Sequence, residues 1–260
     1  MDLSGLDLTI LGPAFIAGLL VLATHVPLGR EVLARGIIFI DLAVAQIAGL
    51  GVIAAHTFGL AEHPIGVQVA ALAAAVAGAG LLTWCEQRFA EVQEALIGVS
   101  FVLAATLGIL LLADNPHGGE QLRELLVGQI LWVGAGMLWA AAAVSAMVLA
   151  VWYGLGPARL GRAGFYMLFA MVVTFSVQLV GVYLVFASLI VPALATRAHS
   201  GRRALVLGWS VGAAGYAIGL VASALWDLPT GALIVWALAV LGAIMAAMSG
   251  RATPSSAAQT

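Results

Sequence analysis

Apolar residues in this chain gather into long runs, at about 8–26, 36–55, 64–84, 95–113, 125–152, 164–196, 204–225 and 229–249. A helix needs roughly 20 apolar residues to cross a bilayer, so most of these runs predict one crossing each. The polar linkers between them, such as PLGREVLAR, HTFGLAEH, CEQRFAEVQE, ADNPHGGEQLRE and RAHSGRR, are too short to hold a folded extramembrane domain. The pattern predicts a single transmembrane domain over residues 1–250, followed by a small polar tail, 251–260, expected to be disordered.

The run at 164–196 is longer than one crossing needs and short for two. Arginine placement arbitrates, because loops on the cytoplasmic side collect basic residues. Arg30 and Arg35 follow the first run, Arg88 the third, and Arg159 and Arg162 the fifth; Arg197, Arg202 and Arg203 follow the long run. All of these share one side only if the long run crosses twice, which predicts a break near Gly181. About nine passes result, with the N-terminus outside and the C-terminus cytoplasmic. Arg123 alone falls on the other side.

Composition narrows the class. The chain has 260 residues, 63% hydrophobic and 8% charged, and its mean hydropathy is +1.12. A soluble domain carries about 25% charged residues, so the expected fold is all-α, a polytopic membrane helical bundle of about eight or nine transmembrane helices. Abundant Gly and Ala suit close helix packing in lipid. The acidic N-terminus lacks the basic segment of a signal peptide, so the first run is expected to be a retained span. Scattered arginines and no lysine count against nucleic acid as a partner. Cys85 stands alone, which excludes an internal disulfide or a paired-cysteine metal site. There is no phosphate-binding GxxxxGK[ST] loop and no HExxH, nor a nucleophile with a base at helical spacing, so nothing points to an enzyme.

A few polar residues interrupt the apolar runs. Asp41 lies inside IIFIDLAVAQIAGLG. A carboxylate near the bilayer centre is costly and by default faces a hydrated path or the bundle interior; it serves as a cation or proton site, or is protonated and bonded to a neighbouring helix. Val44 and Ala45 share its face at i+3 and i+4, whereas Gln46 at i+5 lies about 140° away. Gln129 and Gln178 offer either carbonyl oxygens to a cation or interhelical hydrogen bonds. In the outer loops His56, His63 and His117, with Glu62, are either hand-over ligands for a divalent metal or solvated loop residues. Glu86, Glu91 and Glu94 around Arg88 read as a solvated face. In LIVPALATRAHSGRR, Pro192 is placed to break the helix as it emerges, with a short basic helix after it that either lies along the surface for another protein to grip or is an ordinary loop end.

Four stretches in order, RGIIFIDLAVAQIAGLG, EALIGVSFVLAATLGILLL with ELLVGQILWV, VQLVGVYLVFASLIVPALATR, and DLPTGALIV, resemble the permease subunit of ATP-binding-cassette importers for divalent metals, the ABC-3 family that handles zinc, manganese or iron. The resemblance covers residues 10 to 248. It implies a homodimeric membrane core in the inner membrane, two ATPase subunits below it and a metal-binding receptor protein above. It also implies that the segment from Pro192 through Arg197 to Arg202 and Arg203 docks the ATPase. Asp41 matches the family aspartate that meets the metal in transit, which places it on a path between two protomers. No permanently bound cofactor is implied; the divalent metal, zinc or manganese, is cargo. The sequence departs from the pattern at one point. The family carries a histidine four residues after this aspartate, where Ala45 stands here, and Gln46 is the nearest substitute. Losing an imidazole favours harder oxygen ligands and hence manganese over zinc, or a metal chelate as cargo. The rival readings are a secondary transporter using Asp41 as its proton or cation carrier, and a membrane scaffold without transport.

Overall fold

The computed structural model describes residues 7–59 and 64–250. Among them there are nine α-helices and no strand: α1 (Leu8–Arg35), α2 (Ile40–Thr57), α3 (Pro64–Arg88), α4 (Gln93–Leu111), α5 (Gly118–Val127), α6 (Ala135–Val180), α7 (Val182–Ala195), α8 (Gly201–Trp226) and α9 (Thr230–Gly250). The 251–260 tail and His63 lie outside the described residues. Seven helices are long and apolar enough to cross a membrane. One of them, α6, leaves helical geometry at Gly156 (φ 74°) and Gly161 (φ 63°). Its two limbs then run antiparallel. The rings of Trp152 and Phe165 lie 6.2 Å apart, and Ala141 and Ser145 of the first limb line a small cleft with Ser176 and Leu179 of the second. Counting the two limbs of α6 separately and adding the shorter apolar α7 gives nine apolar helical segments, consistent with about eight or nine spans.

The break expected near Gly181 is present. Gly181 ends α6 with φ 81° and ψ 163°, a backbone conformation open to glycine alone. Its reason is a backbone crossing: a Cβ on Gly181 would lie 2.3 Å from Gly128 N, and one on Gly128 (φ 74°) 2.3 Å from Val180 C and O. Two glycines in glycine-only geometry therefore press backbone to backbone and tie the end of α5 to the α6–α7 junction.

This crossing also corrects the run expected at 125–152. Apolar side chains continue through LLVGQILWV, but α5 ends at Val127, a 3-10 turn occupies Ile130–Trp132, and α6 begins only at Ala135. Hydropathy cannot see the backbone reversal at Gly128. Pro192 is a second correction. It sits inside α7, which continues to Ala195, and no separate short helix follows, since Arg202 and Arg203 occupy the first turn of α8. Only the last turn lies beyond the proline, and the Thr196 hydroxyl donates to Pro192 O at 2.8 Å, closing that turn.

The two ends of the bundle differ. At one end lie Arg30, Arg35, Arg88, Arg159, Arg162 and Arg197 with Arg202 and Arg203; we call it the arginine face. Arg35 pairs with Glu31 at 2.8 Å and lies 4.2 Å over the Phe165 ring. Arg162 stands 3.6 Å from Glu86, and Glu94 accepts the Phe39 N–H at 3.2 Å. Glu86 and Glu94 thus serve interhelical contacts rather than the solvated face expected. At the far face lie His56, His117, Glu120, Glu124, Gln129 and Asp227.

Candidate functional site

On the far face, α5 and the 3-10 turn after it fold inward between α2 and the second limb of α6. They enclose a cavity of about 420 Å³ whose polar lining is His56, Gln121, Glu124, Gln129 and Gln178, set among apolar residues such as Ile53, Trp132 and Met137. The hydrophobic half of α5 explains the fold here. Leu125 packs against Gly49 of α2, where any Cβ would lie 2.5 Å from the leucine, while Leu122 and Leu126 face an apolar groove on the other side. Glu124 is thereby turned into the cavity. The Gln129 amide donates to Glu124 Oε1 at 2.6 Å. Gln178 donates to Gln68 Oε1 at 3.1 Å, and Gln68 donates back to Gln178 Oε1. Two amide-bearing pairs and an exposed imidazole thus form a polar cup at one mouth of the bundle.

Sequence reading named Gln129, Gln178 and His56, and the structure brings these three together. It missed Glu124, Gln121 and Gln68. Gln68 stands four residues inside the third apolar run and was visible there; Glu124 and Gln121 belong to α5, whose inward fold only the Gly128 reversal explains. His117 stays outside the cup, solvent-exposed, its Nδ1 3.9 Å from Glu120 Oε2. Among the described residues no three His, Cys, Asp or Glu side chains come together as a metal-binding group. The cup therefore offers a cation at most His56 and Glu124 plus neutral amide oxygens, a weak set of the kind a permeation site requires for release.

Asp41 and Gln46 lie elsewhere, and from one another they diverge. Gln46, 4% exposed, lines the apolar groove of about 660 Å³ between α2, α4, α5, α7 and α9. Asp41 occupies the first turn of α2, close to the arginine face. This corrects its expected position in mid-membrane: α1 continues to Arg35, Gly36 caps it with φ 72°, and α2 starts only at Ile40, so an aspartate central to the apolar run is terminal in the helix. Asp41 is 0% exposed, and neither carboxylate oxygen has a hydrogen-bond partner. It is covered by its own chain and lines neither the cup nor the groove. A helical stripe nevertheless joins it to the cup. Ala45, Ala48 and Val52 follow Asp41 at i+4, i+7 and i+11 on one face, and Val52 lines the cup.

The basic segment is presented outward. Arg197, Arg202 and Arg203 are exposed, whereas Pro192 is buried.

Comparison with known proteins adds the following. A family model described as ABC 3 transport family matches residues 7–155 and 153–249. The fold is similar to a chain of PsaBC from Streptococcus pneumoniae in complex with Fab, with a TM-score of 0.75 at 20% identity over 90% of each chain. It is also similar to a metal-chelate type ABC transporter in an inward-facing conformation, with a TM-score of 0.70 at 17% identity, covering 91% of this chain and 85% of that one. No curated protein matches the chain.

Proposed function

The chain belongs to the ABC 3 transport family, and from that premise we propose that it is the transmembrane permease subunit of an ATP-driven importer for divalent metal, zinc or manganese. The carrying observation is the family match along nearly all of a polytopic helical bundle with a polar cup at its far face. The chain holds no phosphate loop, so ATP hydrolysis falls to a separate ATPase subunit, docked at the arginine face through the Pro192–Arg203 segment. A metal-binding receptor delivers cargo to the far face, and a second copy of the chain completes the membrane core. The basic side is cytoplasmic, which puts the N-terminus outside and the C-terminus inside.

In this reading the cup is the entry station. His56, Glu124, Gln129 and Gln178 receive the ion loosely. Asp41 is the lower station, reached when the bundle opens along the Ala45–Ala48 stripe; Gln46 lines the neighbouring groove. One observation favours a second cargo, a metal chelate: the cup holds few strong ligands and several amides, which suit a hydrogen-bonding ligand shell better than a bare zinc ion. Copurification of the chain with a phosphate-loop ATPase, with ATP hydrolysis responding to metal-loaded receptor, tests the proposal. A chain that purifies without an ATPase and transports on an ion gradient belongs instead to a secondary transporter.

A further inference from the structure

The turn between α7 and α8, Thr196–Ser200, is held by a residue from the other end of the sequence. Arg30 of α1 donates from Nη1 to Thr196 Oγ1 at 3.5 Å and from Nη2 to His199 O at 3.3 Å. These two acceptors bracket the turn, which is itself closed by His199 N–H donating to Thr196 O at 2.9 Å. Thr196 gives its own hydroxyl proton to Pro192 O, so its oxygen is free to accept. The guanidinium also stands at the C-terminal end of α7, where a cation is favoured by the helix dipole. Among the described residues none of the ion pairs involves Arg30, so the turn is its polar partner.

The neighbouring residue explains why Arg30 reaches so far. Gly29 lets α1 approach α7 until a Cβ would lie 2.1 Å from Leu189 O. Close backbone approach at Gly29 leaves Arg30 at the seam between the two helices. Thr196 is buried and His199 half-buried, while Arg197, Ala198 and Ser200 through Arg203 point outward. One side of the turn is thus gripped from within and the other is open to contact.

We propose that Arg30 is a positioning residue that clamps the 196–200 turn to α1, so that displacement of the exposed Arg197–Arg203 segment moves α1 and α7 as one body. This rests on the reading of that segment as the ATPase dock. Lysine cannot replace arginine fully, because a point ammonium cannot span two acceptors as a planar fork does.

The test is hydrogen exchange on the complex with its ATPase, for wild type, Arg30→Ala and Arg30→Lys, with and without non-hydrolysable ATP. Without nucleotide, exchange of the 197–200 amides should rise about tenfold in Arg30→Ala and about threefold in Arg30→Lys, as expected when a local opening loses its restraint. Unchanged exchange in both variants overturns the clamp. With nucleotide, wild type should change protection at 197–203 and at 26–33 together, and Arg30→Ala only at 197–203. Transmission to 26–33 that survives in Arg30→Ala overturns the relay. No nucleotide response at 197–203 in wild type overturns the relay and the docking reading together, while the nucleotide-free comparison separately decides the grip.

Discussion

Replacing Gly181 with alanine should be among the most damaging single-methyl additions to this protein. Two costs combine. At φ 81° and ψ 163° a side chain sits in a backbone region worth about 1–3 kcal/mol of strain. The new Cβ would also lie 2.3 Å from Gly128 N and 2.6 Å from Val127 C, and neither is the tip of a flexible side chain that could swing aside. Overpacking of this kind costs about 1–3 kcal/mol. Together they come to about 4 kcal/mol, or a loss near 10 °C in melting temperature by the usual scaling for a chain of this size. The assay is thermal unfolding of detergent-purified protein followed by size exclusion. Gly80→Ala is the control, because a Cβ there meets nothing within 4 Å and alanine is the better helix former. Gly128→Ala should match Gly181→Ala, and the double variant should cost less than the sum, since both disturb one contact. A Gly181→Ala protein that melts within about 2 °C of wild type would refute the backbone-crossing argument.

Asp41→Asn should leave the melting temperature within about 2 °C of wild type, because neither carboxylate oxygen is hydrogen-bonded and an amide is cheaper to bury than a charge. It should at the same time cut transport; unchanged flux removes Asp41 from the path. Gln178→Leu and Gln68→Leu should show a coupling of about 0.6 kcal/mol, the usual size for polar pairs in membranes, read by a double-mutant unfolding cycle, with strict additivity counting against the pair. Burial plays little part at Asp7, whose carboxyl is held below the ordinary carboxylate range by the Thr9 hydroxyl and then the Thr9 N–H. Its capping contribution is therefore present at neutral pH and lost as pH falls through that depressed value, so the Thr9 amide should exchange relatively faster in strong acid, an effect that Asp7→Ala would abolish.

The fold was legible in the sequence where hydropathy and arginine placement sufficed. The count of apolar helical segments and the break at Gly181 are those expected from requiring Arg30, Arg88, Arg159 and Arg202 to share a side. What escaped was set by backbone geometry. Gly128 reverses the chain inside an apolar stretch, so α5 folds inward, and with it Glu124 and Gln121 join a cup whose other members, Gln129, Gln178 and His56, were separately visible as polar intruders. Asp41 was recognisable as an anomaly but misplaced along its helix, because the three apolar residues between Gly36 and Ile40, Ile37, Ile38 and Phe39, read as helix while forming a connection. Pro192 was read as a breaker, yet its ring is accommodated in the last turn of α7, where the Thr196 hydroxyl closes the chain.

The most direct measurement is uptake into liposomes holding the complete complex, with receptor protein outside and radioactive manganese or zinc as cargo. The account predicts accumulation that requires ATP on the arginine-face side and vanishes without the ATPase subunit. Accumulation by this chain alone, driven by a proton or sodium gradient and indifferent to ATP, would contradict it.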